Sequence, residues 1–339
     1  MTMDQTIPAH GDRPDIVVED LAIPSDTSGI SLHLRNKRAS AQKAFSAERT
    51  ILLVHGATYS SASLFDVPLG GRSFMDHLAA QGFDVFALDV RGYGGSTKPA
   101  EMDAPPQNSA PLVRTDVAVR DLASAVDHIL RRRGIPRLNL VAMSWGGSVA
   151  GAYTAGHNDK VVRLALVAPL WLLNGPAPID SGGVLGGYRK VPVLDFRERW
   201  LAAAPEAARA SLIPEGWFER WAEASLASDP QGNAEHPRVM RAVNGPIQDI
   251  RDYWGAGKTL YDANDIRVPV LLVHAEWDRD VTMATTQDLF SSLTRAPYRR
   301  WVEIGEGTHM VLLEKNRMQA FDAVSQFLAE GGPHGTPSR

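Results

Sequence analysis

One serine stands in a segment that could make it a nucleophile. Residues 138–143 are mostly apolar, as in a buried strand, and Ser144 follows them directly. A serine at a sharp strand-to-helix turn brings two backbones close together, so small residues are needed around it. The spacing Ala142-x-Ser144-x-Gly146 meets that need, with alanine in place of the first glycine of the usual motif. The pattern therefore predicts a nucleophile elbow with Ser144 at its tip.

A serine hydroxyl needs partners before it can attack a carbonyl carbon. It is a poor nucleophile at neutral pH, so acyl transfer also requires a histidine base and a buried carboxylate that orients the imidazole. His309 lies in the loop that follows the last predicted strand. Three acids, Glu276, Asp278 and Asp280, follow the strand predicted at 268–274. The sequence thus offers a serine, acid and histidine set in which three residues compete for the role of the acid.

The elements that must position these residues alternate along the chain. Apolar or alternating runs predict strands at 15–23, 30–34, 50–54, 83–88, 138–143, 161–167, 268–274 and 298–304. Amphipathic patterns predict helices at 73–82, 113–133, 283–293 and 317–328, and a further helix follows Ser144. The near-continuous apolar strands are typical of a parallel sheet covered on both faces, which predicts an α/β fold.

Several of these segments resemble the α/β-hydrolase superfamily. Residues 55–59 (His-Gly-Ala-Thr-Tyr) are similar to its His-Gly loop, and residues 89–96 (Asp-Val-Arg-Gly-Tyr-Gly-Gly-Ser) to its Asp-x-Arg-Gly-x-Gly-x-Ser turn. Residues 305–309 (Gly-Glu-Gly-Thr-His) are similar to its Gly-x-Gly-His motif, with a threonine before the histidine. The resemblance implies an α/β-hydrolase fold, in which a mostly parallel sheet is flanked by helices and a cap precedes the strand that carries the acid.

The resemblance also implies roles for the three side chains. Ser144 is expected to attack a carbonyl carbon, with His309 as the base. The acid is expected at Asp278, because family members usually place an aspartate three residues after a small residue that ends the strand, here Ala275. The other two acids of this segment are then loop or salt-bridge residues. In some relatives the acid follows the strand before the cap, but here no carboxylate occurs in that region until Asp180.

Two backbone N–H groups are expected to bind the developing oxyanion. By the resemblance they belong to Ala57, after the His-Gly pair, and to Trp145, after the nucleophile. His55 is expected to bond the loop backbone rather than to act as a base. Tyr59 of the same loop and Trp171, at the start of the cap, are expected to contact the substrate.

The regular alternation of strands and helices breaks between residues 170 and 266. About a hundred residues without a parallel strand are too many for a plain loop. Helices are predicted within them at 194–203, 206–212, 215–226 and 237–254. The sequence therefore predicts a first core part at 1–169 that begins with a loose arm, a largely helical cap at 170–266, a second core part at 267–331 and a tail at 332–339.

The composition excludes several classes of function. The formal net charge of -4 and the pI of about 6.2 give no basic surface for nucleic acid or for an anionic membrane. The absence of cysteine excludes disulfides, zinc-thiolate sites and thiol nucleophiles. No metal-ligand spacing and no glycine-rich dinucleotide loop occurs in the sequence, so we expect neither a metal nor an organic cofactor.

The apolar segments predict a cytoplasmic protein. The first residues lack the basic start and the apolar core of a secretory signal. The longest apolar run, 164–173, contains Pro169 and is too short to span a bilayer. The oligomeric state stays open.

The residue types favour hydrolysis of a carboxylic ester through an acyl-enzyme. Epoxide hydrolases and haloalkane dehalogenases of this fold attack with a carboxylate, whereas this chain has Ser144. The expected substrate is a small to medium, largely apolar ester. Two alternatives stay open: the same triad acting on a lactone, an amide or the carbon-carbon bond of a diketone-like compound, or a hydrolase-fold binding protein. Four cap cations are either ligands of a substrate carboxylate or solvated residues: Arg189, Lys190, Arg241 and Arg251.

Overall fold

An eight-stranded sheet forms the centre of the computed structural model, which describes residues 15–173 and 175–330. The strands found in the described residues are β1 (Ile16–Pro24), β2 (Ser31–Ala39), β3 (Thr50–Val54), β4 (Asp84–Asp89), β5 (Leu138–Met143), β6 (Val161–Val167), β7 (Tyr188–Val191), β8 (Met240–Val243), β9 (Val270–Ala275) and β10 (Arg299–Ile304). The order in the central sheet is β1-β2-β4-β3-β5-β6-β9-β10. Strand β2 pairs antiparallel with β1 and β4, and the other neighbours are parallel. The predicted α/β-hydrolase architecture is confirmed.

Burial explains why the inner strands have apolar residues at nearly every position. Strands β3, β4, β5 and β9 are buried along their whole length. Helices cover both faces of a parallel sheet, so successive side chains on opposite faces both meet apolar neighbours. The edge strand β10 is mostly half-buried or exposed. The central strands therefore hold the loops at their carboxyl ends on a rigid base.

Helices lie on both faces of this sheet. The described α-helices are α1 (Ser61–Phe65), α2 (Phe74–Ala80), α3 (Thr115–Arg133), α4 (Trp145–Gly156), α5 (Phe196–Ala202), α6 (Glu206–Leu212), α7 (Trp217–Ala227), α8 (Pro230–Asn233), α9 (Gly245–Asp252), α10 (Met283–Ser292) and α11 (Arg317–Ala329). Helices α3, α4 and α10 contribute buried side chains to one apolar cluster, and α2 and α11 to a second one. In the part of the chain that the structure describes, no helix combines the length and the apolar composition needed to cross a membrane.

The insertion between β6 and β9 is helical, as predicted, but it also contains a small sheet. Strands β7 and β8 pair antiparallel within it. The helix predicted at 237–254 is therefore wrong over its first part, where residues 240–243 form β8. Its remaining part is α9, which starts at Gly245 with a proline in its first turn, a position that favours helix initiation. The arm predicted at residues 1 to about 15 lies, except for residue 15, outside the described residues, and so does the tail at 332–339.

Candidate active site

Ser144 occupies a strained turn between β5 and α4. Its backbone angles are φ 56° and ψ -125°, outside the regions that residues other than glycine ordinarily adopt. The turn is tight enough that a Cβ on Gly146 would lie 2.4 Å from the carbonyl oxygen of His55. A side chain at that position would collide with backbone that cannot rotate away. This is why the motif requires glycine there, and it is the geometry of a nucleophile elbow.

Gly146→Ala should destabilise the fold, whereas Gly156→Ala in the same helix should not. The added methyl group at position 146 meets two backbone carbonyls, so we expect a loss of about 3 kcal/mol, the upper part of the cost of overpacking. At Gly156 a Cβ would meet nothing within 4 Å, and alanine should stabilise the helix by up to about 1 kcal/mol. Urea unfolding of both variants measures the difference. Equal midpoints would contradict the tight turn.

A hydrogen bond joins the predicted acid to the predicted base. His309, in the loop after β10, donates from Nδ1 to Oδ2 of Asp278 over 2.8 Å. The other carboxylate oxygen of Asp278 accepts the backbone N–H groups of Asp280 and Val281, at 2.9 and 2.8 Å. The carboxylate is buried and held from both sides, so it fixes the orientation of the imidazole.

The Asp278 carboxylate also controls the charge of His309. Burial of the imidazole opposes its protonation, but the negative charge and hydrogen bond of Asp278, assisted by Asp280, outweigh burial and raise the pKa of His309 to about 9. The nearby Arg199 acts in the opposite direction. His309 is therefore a stronger base than an ordinary histidine, and it binds a proton at neutral pH in the free protein.

Ser144 and His309 share the wall of one cavity of about 270 Å³. Within residues 15–173 and 175–330, no hydrogen bond joins their side chains. The amide N–H groups of Ala57 and Trp145, whose residues line the same cavity, have no acceptor in that part of the chain. The Trp145 N–H is one of the donors that the first turn of a helix leaves unpaired. Two free donors thus lie beside the serine.

His55 holds the loop that carries Ala57. It is buried, its Nδ1 donates to the carbonyl of Gly56 over 2.8 Å, and its Nε2 accepts the N–H of Val90 over 3.1 Å. Burial lowers the pKa of His55, so the ring stays neutral in these contacts. The predicted structural role of His55 is confirmed.

The two competing acids have other partners. Glu276 accepts the backbone N–H of Glu306 over 2.8 Å, and Asp280 pairs with Arg199 over 2.9 Å. Ligand atoms of Asp278, Asp280 and His309 lie within 4.8 Å of one another, which is close enough to hold a metal ion. The ion pairs and backbone bonds of these groups already account for their proximity. Asp278 alone of the three acids holds the imidazole.

Of the two residues predicted to contact the substrate, one lines the cavity. Tyr59 does so, and its ring packs against Phe196 and Trp221 of the cap. Trp171 does not, so that prediction is corrected. Its indole N–H donates to Asp288 on α10 over 2.8 Å, and its buried ring packs against Tyr261 with 5.2 Å between the ring centroids.

The four cap cations separate by their contacts. Arg241 binds Asp229, Arg251 binds Asp180, and the exposed Lys190 binds Glu235. Arg189 lines the cavity and donates to neutral oxygens. Arg241 also donates to the carbonyl of Met102, outside the cap, over 3.0 Å. Lys190 lines the cavity as well, but Arg189 is the arginine among the four that does so.

Sequence reasoning missed a buried glutamate behind His309. Glu314 accepts the backbone N–H of Thr308 over 2.8 Å, the hydroxyl of the same threonine, and the indole N–H of Trp200 from the cap over 2.6 Å. Burial raises the pKa of the Glu314 carboxyl. The residue follows an apolar run, and no spacing in the sequence distinguishes it from a solvated glutamate. It braces the loop that carries His309.

Comparison with known proteins gives the family. Protein ABHD8 of Bos taurus is 26% identical over 278 residues, which cover 82% of this chain and 56% of that protein, so the chain spans little more than half its length. Epoxide hydrolase 3 of Xenopus tropicalis is 24% identical, with 96% of this chain and 80% of that protein covered. A thermophilic esterase from Thermogutta terrifontis has the same fold, with a TM-score of 0.60, 17% identity and coverage of 91% and 98%. The profile of the alpha/beta hydrolase fold family matches residues 49–316, and the chain belongs to that family.

Proposed function

We propose that this hydrolase cleaves a carboxylic ester through an acyl-enzyme on Ser144. The observation that carries the proposal is a convergence on one cavity. A serine at a strained turn, a histidine bound to a buried carboxylate and two backbone N–H groups that find no acceptor in the described residues all belong to its wall. These are the parts that acyl transfer needs.

The first half of the reaction forms the acyl-enzyme. His309 takes the hydroxyl proton of Ser144 as the oxygen attacks the ester carbonyl carbon. The carbonyl oxygen becomes an oxyanion and accepts the N–H groups of Ala57 and Trp145. Collapse of this intermediate breaks the bond to the alcohol oxygen, which leaves with the proton that His309 returns. Asp278 stabilises the imidazolium throughout.

The second half releases the acid. Water enters in place of the alcohol, and His309 removes one of its protons as the oxygen attacks the acyl carbon. The same two N–H groups hold the second oxyanion. Its collapse breaks the bond to Ser144 Oγ, which recovers its proton from His309. The carboxylic acid leaves, and the protein returns to its starting state.

The cavity wall supports a small to medium, largely apolar ester. Aliphatic and aromatic side chains make up much of its lining, including Leu64, Met143, Phe196, Trp200 and Ile250. A volume of about 270 Å³ lies near the lower end of small-molecule sites. The serine nucleophile separates this proposal from the epoxide chemistry in the name of one relative, because that chemistry uses a carboxylate in this fold.

Covalent labelling combined with turnover tests the proposal. The protein is treated with a fluorophosphonate, the modified residue is mapped by mass spectrometry, and hydrolysis of p-nitrophenyl esters of increasing chain length is measured. We expect the label on Ser144 and a maximum of kcat/KM at a short or medium acyl chain. Labelling without hydrolysis of any ester would keep the acyl-enzyme and reject the ester as substrate. Folded protein that neither labels nor turns over would favour a binding protein.

The activity should rise with pH up to about 9. Only neutral His309 can accept the serine proton, and the pKa of His309 in the free protein is raised to about 9. Below that pH the neutral fraction falls tenfold per unit, so kcat/KM at pH 7 should be roughly a hundredth of its maximum. A profile of kcat/KM from pH 6 to 10, with far-UV circular dichroism as a check of folding, measures this. If kcat/KM is already constant above about pH 6.5, the ion pair of Asp278 and His309 does not raise the pKa of the base.

A further inference from the structure

A cap arginine is bonded to the loop that holds Ala57. Arg189 lies on β7, and its Nη2 donates to the carbonyl of Ala57 over 3.1 Å and to the hydroxyl of Thr58 over 2.8 Å. Its Nη1 donates to the carbonyl of Val243 over 2.8 Å and to the side-chain oxygen of Asn244 over 3.3 Å. The planar guanidinium thus joins the end of β8 in the cap to the loop after β3 in the core.

The partners of Arg189 set it apart from Arg241 and Arg251. Those two arginines bind aspartates inside the cap, whereas Arg189 forms no ion pair within the described ranges 15–173 and 175–330. A half-buried cation without a carboxylate is unfavourable unless its hydrogen bonds are well made. The four neutral acceptors bind both terminal nitrogens of Arg189. The rigid fork of the guanidinium holds these acceptors in defined positions.

The carbonyl of Ala57 is held from the core side as well. The hydroxyl of Tyr93 donates to it over 2.7 Å, and the Tyr93 ring packs on His55 with 4.6 Å between ring centroids. A donor from the core and a donor from the cap therefore fix one peptide oxygen. Because the N–H and the carbonyl of Ala57 are separated only by the two backbone torsions of that residue, a fixed carbonyl restricts the direction of the N–H.

We propose that Arg189 is a positioning residue that couples the cap to the oxyanion loop, residues 56–58. When β7 lies against this loop, the arginine holds the Ala57 N–H toward the reacting carbonyl oxygen. A donor that is fixed before the reaction stabilises the oxyanion without reorganisation. The inference rests on the proposed acyl-enzyme function and extends it: the cap contributes to the rate of the chemical step as well as to substrate choice.

The test compares three variants of the link with one matched control. Arg189→Met removes the donors, Arg189→Lys keeps the charge but loses the fork, and Thr58→Val removes one acceptor at nearly constant shape. Arg251→Met deletes a cap arginine whose hydrogen bonds, among the residues that the structure describes, go to Asp180 and Gly183 of the cap. Each protein is assayed for kcat and KM with p-nitrophenyl acetate and for the rate of Ser144 labelling by a small alkyl fluorophosphonate. The phosphoryl oxygen of this reagent occupies the oxyanion hole.

We expect Arg189→Met to lower kcat and the labelling rate by about 10- to 100-fold, less than the loss of an oxyanion donor itself, with KM changed by less than about threefold. Arg189→Lys should lie between this variant and the wild type, and Arg251→Met should match the wild type. Thr58→Val should lower kcat and the labelling rate several-fold. In the double variant, Thr58→Val should add little to Arg189→Met, because both remove the same link.

Other outcomes overturn the inference. Unchanged kcat and labelling in Arg189→Met would do so, and so would a rise in KM alone, which would make Arg189 a substrate ligand. An equal loss in Arg251→Met would assign the effect to the cap as a whole. If Arg189→Met does not fold, Arg189→Lys and Thr58→Val carry the same comparison, and wild-type rates in both reject the link. A wild type that neither labels nor turns over rejects the proposed function and this inference together.

Discussion

Ser144→Ala should abolish ester hydrolysis and covalent labelling while the protein stays folded. Without the hydroxyl, no acyl-enzyme can form, and the remaining groups of the site can only orient water. In a well-studied serine hydrolase the loss of the nucleophile costs about 10⁶-fold in kcat, and we expect a loss of the same order here. The measurements are kcat with the best p-nitrophenyl ester and mass spectrometry after fluorophosphonate treatment.

Ser148→Ala is the matched control for this variant. Ser148 lies one helical turn further along α4, is buried, and donates its hydroxyl to the carbonyl of Leu170 over 2.9 Å. Its loss should cost about 1 kcal/mol of stability and leave labelling intact. If Ser144→Ala still reacts with the fluorophosphonate at another residue, the nucleophile has been assigned wrongly. If Ser148→Ala loses labelling as well, the effect belongs to the packing of α4.

The central sheet was predictable because burial on both faces makes its inner strands apolar at nearly every position. Strand β3 and strand β9 are apolar at nearly every position, and both are buried throughout. A strand covered on both faces needs no information from distant residues to be recognised. Helix α3, predicted at 113–133, is observed at Thr115–Arg133. Its apolar residues recur at helical spacing because one side of the helix faces the core and the other side faces solvent.

The cap was harder to predict because its pairings are distant. Strand β8 has only four residues, and it is a strand because it pairs with β7, about fifty positions earlier in the chain. Nothing within such a short run distinguishes a strand from a helical segment. Helix α1, which was not predicted, has five residues and is too short to show a helical period.

Motifs located the catalytic candidates, but contacts were needed to separate the residues around them. The residue types alone left three acids in competition, and the family resemblance pointed to Asp278. The structure shows the hydrogen bond of Asp278 to His309. Glu314 escaped notice, and Arg189 could not be told apart from three other cap cations, because Trp200 and Ala57, which they bind, lie 114 and 132 positions away. A charged residue that stabilises a loop shows no characteristic spacing in the sequence.

Asp278→Asn should lower kcat by about 10⁴-fold, as the equivalent change does in another serine hydrolase. The structure gives a specific reason. One oxygen of the carboxylate accepts the N–H groups of Asp280 and Val281, so the asparagine oxygen should keep that place. Its NH₂ group then points at Nδ1 of His309, which must become the acceptor. The ring proton moves to Nε2, and the nitrogen that faces the serine can no longer take its proton.

The pH profile distinguishes this tautomer effect from a general loss of structure. The Asp278 charge and hydrogen bond, which outweigh burial in the wild type, are gone in Asp278→Asn, so the pKa of His309 should fall below its ordinary value. The rising limb of kcat/KM should therefore move from about 9 to below 6.5 in the residual activity. Asp280→Asn is the control: its carboxylate binds Arg199 and acts on His309 only through space, so its kcat should stay within about tenfold of the wild type. If Asp280→Asn loses activity and Asp278→Asn keeps it, the acid that orients His309 is Asp280.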